Sequence, residues 1–121
     1  MQGGRHPSPD HPISVEPAGQ RVTVSLGDIV LAESVNALVL REASYPPVFY
    51  IPREEVSMAA LVPSTTTSHC PYKGDASYFS VGDGAKDVAW SYEDPFDQLG
   101  MIKGHLAFYP ERVDTITAPT L

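Results

Sequence analysis

The chain of 121 residues holds a single cysteine, Cys70, and a single tryptophan, Trp90. One thiol excludes an internal disulfide and any zinc site built on several thiolates. Basic residues are scarce: eight Lys plus Arg stand against fifteen Asp plus Glu, a formal charge of −7 at pH 7. That balance argues against a nucleic-acid partner, because phosphate contacts need a clustered basic surface. Long apolar runs are missing as well. None approaches the ~20 residues of a membrane span, and the N-terminus lacks the apolar centre of a signal peptide. A cytoplasmic protein with no membrane partner is expected. Apolar residues at 42% and charged residues at 19% can still build an ordinary core, in a chain sized for one domain that buries roughly two-thirds of its unfolded surface.

The first twenty residues differ from the rest. Pro7, Pro9, Pro12 and Pro17, with Gly3 and Gly4, predict an extended arm over residues 1–20 that is not a packed element, followed by one β domain over 21–121. His6 and His11 read as solvated imidazoles of that arm. From Arg21 the pattern is strand-like. Val22, Val24 and Leu26 alternate with Thr23 and Ser25, and Gly27-Asp28 marks a hairpin turn into residues 29–32. Residues 37–40 form a third apolar run ending in Arg41-Glu42, and Val48 to Ile51 a fourth after Tyr45-Pro46-Pro47. Residues 53–61 switch to helix formers, with Pro52 at the start and Pro63 as the stop. Ser64 to Ser68 then reads as a polar loop. Residues 76–81, 88–92 and 105–109 read as further strands, with a hairpin turn at Gly82-Asp83-Gly84 and a short helical piece over 96–103, and Pro110 bends the chain toward Val113 to Ile116. The fold class is mainly β with one or two short helices.

Three constellations could carry chemistry. His69-Cys70-Pro71-Tyr72-Lys73-Gly74 is the densest cluster of reactive side chains. A cysteine nucleophile with a histidine base is one reading, and a small buried thiol the other. Adjacent strand residues point to opposite faces, so His69 and Cys70 should not meet each other, and a base would have to come from elsewhere, such as His105. Lys73 precedes Gly74 with no hydroxyl after it, so this is no Walker loop, although its ammonium could meet an anion. The second constellation is Arg41-Glu42 with Tyr50, Pro52 and Arg53: Arg41 is a planar donor for a carboxylate or phosphate, or simply a solvated strand end. The third is aromatic. Tyr72, Tyr78, Trp90, Tyr92 and Tyr109 carry polar tips that suit a small organic ligand, while Phe79 and Phe108 belong to a core. Trp90 and Tyr92 lie two apart and share a face, whereas Tyr78 faces opposite to Phe79. No metal-ligand spacing occurs; His69, Cys70 and His105 would need three converging strands, and no metal or other cofactor is expected.

Taken in order, Arg41-Glu42, Tyr45-Pro46-Pro47, Tyr50-Ile51-Pro52-Arg53, His69 to Gly74, Ala89-Trp90-Ser91-Tyr92 and His105 to Tyr109 resemble the DUF427 family. The family is uncharacterised and found mainly in bacteria and fungi. The likeness spans residues 12–116. It implies a small two-sheet β fold akin to the Mss4-like β-tent. Relatives on that fold often carry zinc on paired Cys-x-x-Cys motifs, which this chain cannot form. A nucleotidyltransferase-like label also attaches to the family, but the Gly-Ser and paired-Asp metal pattern of such enzymes is missing here. The family's recurring positions match Arg41, Glu42, Tyr50, Arg53, His69, Tyr72, Lys73, Trp90 and Tyr109.

Those residues, with Tyr92, predict a cleft between sheets that binds a polar or anionic small molecule, with Arg41 and Lys73 meeting its charge. An enzyme using His69 or Cys70 in the same cleft is the first alternative, and an interaction module docking through Tyr45-Pro46-Pro47 the second.

Overall fold

The structure, a computed structural model, describes residues 12–43, 45–71, 73–81, 86–113 and 115–117. Among them the chain forms ten strands joined by turns and short 3₁₀ segments, the mainly β class that the sequence predicts. The strands are β1 (Ile13–Pro17), β2 (Val22–Leu26), β3 (Ile29–Ser34), β4 (Leu38–Glu42), β5 (Val48–Tyr50), β6 (Leu61–Cys70), β7 (Gly74–Val81), β8 (Ala89–Ser91), β9 (Leu106–Phe108) and β10 (Thr115–Thr117). They make three hydrogen-bonded sheets where two were expected: β1-β4-β5, β10-β2-β3 and β6-β7-β8-β9. Every ladder is antiparallel.

Two of the sheets are joined at one point. The Ile51 N–H donates to the Leu106 carbonyl at 2.7 Å, and the Leu106 N–H returns the bond to Ile51 at 2.8 Å. Strand β5 therefore runs beside β9, and the two sheets act as one curved wall. The third sheet packs over one face of that wall. Val22, Val24 and Leu31 from it meet Ile51, Phe79, Ala89, Leu106 and Phe108 in the main core.

The opposite face carries a second cluster of Leu40, Tyr50, Ala76, Tyr92 and Ala107, closed by Leu99 and Ile102. The division follows the period-two rule. Phe79 and Tyr78, adjacent on β7, go to different clusters, and so do Leu106 and Ala107 on β9.

Three expectations need correction. Residues 13–17 are extended but paired: β1 lies on β4, with Val15 opposite Leu40 and Ile13 opposite Glu42. Pro17 is tolerated because β1 is an edge strand, where a missing N–H costs no ladder bond. Ser64 to Ser68 is not a loop, and Pro63 does not end the helical segment. Both lie inside β6, the edge strand of its sheet, where Pro63 pairs with Phe79 and a register shift follows before Thr67. Exposure on both faces explains why no apolar alternation announced it. The short helix or helical turn expected over 53–61 and the short helical piece over 96–103 are borne out as 3₁₀ turns at Arg53–Glu55, Met58–Ala60 and Asp97–Ile102. His6, His11 and the Gly82-Asp83-Gly84 turn lie outside the described residues, although β7 and β8 do pair.

Candidate functional site

The second face opens into a cleft of about 710 Å³. Its lining comes from β4 (Leu40, Glu42), the segment after it (Tyr45, Pro46, Pro47), β5 (Val48, Tyr50), the β6–β7 turn (His69, Cys70, Pro71, Lys73), β7 (Tyr78), β8 and its end (Trp90, Tyr92), and the end of β9 (Tyr109, Pro110, Glu111).

The aromatic wall follows from strand register. Tyr78 and Trp90 are direct cross-strand partners, and Trp90 in turn lies opposite Ala107. The small Ala107 leaves room for the indole. Across the Ile51–Leu106 bridge Tyr50 meets Trp90 edge-on at 6.3 Å between centroids, and the Trp90 Nε1–H donates to Tyr50 Oη at 3.2 Å. Tyr109 packs on Trp90 at 4.4 Å and stacks on Tyr78 at 6.3 Å. Its hydroxyl donates to Tyr78 Oη at 3.2 Å, and Tyr78 Oη in turn lies 2.9 Å from Ser68 Oγ. Burial, an environment that disfavours charge, holds the Tyr50, Tyr92 and Tyr109 phenols well above the ordinary tyrosine pKa. These rings are neutral at physiological pH.

The polar centre is an ion pair. Lys73 Nζ lies 2.5 Å from Glu42 Oε1, and the two side chains are only 9% and 15% exposed. The β6–β7 turn aims the lysine: the Lys73 N–H closes on the Cys70 carbonyl, and the Lys73 carbonyl receives the Phe96 N–H. Gly74 follows at φ +118°, a backbone angle that favours glycine, while a Cβ there would meet Pro95 Cα only at an ordinary contact distance of 3.5 Å. At the rim His69 Nδ1 lies 2.7 Å from Asp75 Oδ1, and its side chain is 60% exposed. Among the described residues no group of three or more His, Cys, Asp or Glu side chains could hold a metal ion.

Of the residues singled out in the sequence, Glu42, Tyr50, His69, Lys73, Trp90, Tyr92 and Tyr109 line the cleft together. Arg41 and Arg53 do not. Arg41 lies one residue from Glu42 on β4 and takes the other face, where its Nε is 3.6 Å from Glu16. Arg53 forms a two-point contact with Glu93 at 2.7 and 2.8 Å and covers the Phe79 ring on the main-core side. His105 bonds the Lys103 carbonyl and supplies no base to Cys70. Tyr72 lies outside the described residues. Sequence reading passed over Leu40, Val48, Pro110 and Glu111 as lining. Leu40 and Val48 were detectable, because they share the strand parity of Glu42 and Tyr50; nothing in the sequence distinguished the other two.

A family model described as a domain of unknown function (DUF427) matches residues 14–119. The chain belongs to the DUF427 family. The match begins inside β1, so the DUF427 domain includes a strand that proline content had assigned to the arm. A search of curated proteins finds no match for this DUF427 chain.

The buried pair gives one prediction. Lys73→Met or Glu42→Leu alone should destabilise the fold by about 2–4 kcal/mol in urea denaturation, each leaving a lone buried charge. The double variant should recover most of that loss; strictly additive losses would mean that the two charges do not act as a pair.

The phenols give another. An unfolded tyrosine ionises near its ordinary pKa of 10.0, whereas folded Tyr50, Tyr92 and Tyr109 hold their protons above it. Above that pH the unfolded state binds fewer protons, so the stability these phenols contribute should be unchanged below pH 10 and fall beyond it. Absorbance titration of phenolate should show these three tyrosines silent until the alkaline unfolding transition. Ionisation of every tyrosine near pH 10 in the folded protein would contradict their burial.

Proposed function

We propose that this DUF427 domain binds a small organic molecule in the cleft between the Tyr50 and Trp90 strands. The observation that carries the reading is the cleft's volume together with its lining. About 710 Å³ falls within the ~300–1,000 Å³ of ligand pockets, and a mostly apolar and aromatic wall surrounds a few convergent polar groups. Two further hollows, of about 90 and 280 Å³, are smaller. The ligand's apolar body would lie on Trp90, Tyr109, Leu40 and Val48, and a polar group would reach the Lys73–Glu42 pair. Arg41, turned to Glu16, takes no part. The Tyr45-Pro46-Pro47 segment is cleft wall on this reading, not a docking strip for another protein.

Trp90 is the chain's single tryptophan, so its emission reports on the cleft alone. A screen of nucleotides, carboxylates, amines and neutral ring compounds should yield at least one that raises the melting temperature and shifts Trp90 emission together. Tyr109→Leu should weaken that compound roughly three- to tenfold, the range of one lost ring contact, and Arg41→Ala should leave it unchanged. A screen with no such compound, or binding indifferent to Tyr109→Leu, would remove the reading.

The His69–Asp75 contact favours a second reading. A carboxylate on Nδ1 orients the ring and leaves Nε2 as a base, and His69 and Cys70 line the same cleft. If the domain is an enzyme with Cys70 as its nucleophile, iodoacetamide at neutral pH should modify that thiol faster than free cysteine. A slower or equal rate eliminates the nucleophile.

A further inference from the structure

The charge of the cleft's occupant can be inferred from where the protein's own charges go; the inference rests on the binding reading above. In the sequence, Arg41, Arg53 and Lys73 looked like a receptor for an anion. Their placement reverses that expectation. Both guanidiniums are engaged by carboxylates away from the cleft, Arg41 by Glu16 and Arg53 by Glu93. Lys73 does reach the cleft, but its ammonium is already met by Glu42 at 2.5 Å. An anion would have to separate or crowd that buried pair.

Beyond the pair, the lining adds the Glu111 carboxylate at the rim, and Asp75 stands behind His69. The rest of the wall is aromatic rings with Leu40, Val48, Cys70 and prolines. Neutral phenol and indole faces carry negative potential and attract cations within ~6 Å of the centroid. Tyr50, Tyr92 and Tyr109 are neutral phenols at physiological pH, as an ordinary tyrosine is, so those faces are intact. The protein's own cations already use them: Lys73 Nζ lies 5.9 Å from the Tyr92 centroid, and Arg112 Cζ lies 4.6 Å from that of Tyr109. The chain's net charge of −7 disfavours an incoming anion further.

We propose that the cleft takes an organic cation, an alkylammonium or quaternary ammonium group on a compact apolar body, seated on the Trp90–Tyr109 wall and attracted by Glu111. The cation needs no group displaced from the Lys73–Glu42 pair. Its apolar body occupies the Leu40 and Val48 side of the cleft.

The test is a titration of the full chain, followed by Trp90 emission, with three ring compounds of similar size. Phenyltrimethylammonium carries the cation, cumyl alcohol is its neutral analogue of nearly the same shape, and phenylacetate is the anion. Phenyltrimethylammonium should bind roughly tenfold tighter than cumyl alcohol at low salt, within the range of ring–cation attraction, and more tightly still than phenylacetate. Glu111→Gln, at an exposed position where folding is not at risk, should weaken the cation about threefold and leave cumyl alcohol unchanged. Equal or tighter binding of cumyl alcohol or phenylacetate overturns the cation assignment while leaving the cleft a small-molecule site. Failure of all three to change Trp90 emission at millimolar concentration also overturns it, and the broader compound screen then decides the binding reading separately.

Discussion

Two hydrogen bonds between Ile51 and Leu106 hold together everything that makes this molecule more than three small sheets. They set β5 beside β9, and so join the sheet that carries Glu42 and Tyr50 to the sheet that carries Tyr78 and Trp90. Strand alternation does the rest. Ile51 is drawn into the main core, so the preceding Tyr50 must point out of the opposite face, toward the indole of Trp90. A cleft walled by both sheets follows from one backbone contact and a parity rule.

Charge is distributed on the same logic. This acidic chain has few cations, and the structure engages Arg21, Arg41 and Arg53 with carboxylates on the exterior. Among the described residues only Lys73 is brought into the cleft, and it arrives with Glu42 as counter-ion. A buried lone ammonium would be costly, whereas a buried pair is tolerable and orients both side chains. The neutral rings around the pair make the cleft a place where polarity is concentrated at one point and the remaining wall is apolar or aromatic.

Much of this was legible in the residues, and the failures have identifiable causes. The Val22/Val24/Leu26 alternation marked β2, and the Leu106/Phe108 against Ala107/Tyr109 division marked both faces of β9, because each strand separates a core from a second surface. Strand β6 was illegible because neither of its faces carries an apolar stripe along residues 64–68; its Thr-rich run is shaped by pairing with β7, not by burial. The first strand was hidden by Pro12 and Pro17, which are acceptable on a sheet edge. Arg41 was misjudged through parity: a one-residue step on β4 turns a side chain from the cleft to the outside, and adjacency to Glu42 in sequence therefore meant separation in space.

The residues alone determined a mainly β chain, family membership, and a set of tyrosines and one tryptophan, several of them on strands that also carry core. Those properties are local, set by period and composition over a few positions at a time. Which rings meet, and which cation they surround, was decided only by tertiary structure. Register across β7, β8 and β9 and the single bridge to β5 bring together Glu42, Tyr50, Lys73, Trp90 and Tyr109, and no spacing along the chain encodes that distance. The same long-range packing set Arg53 against Glu93 and Lys73 against Glu42, whereas the outward turn of Arg41 needed only its parity on β4.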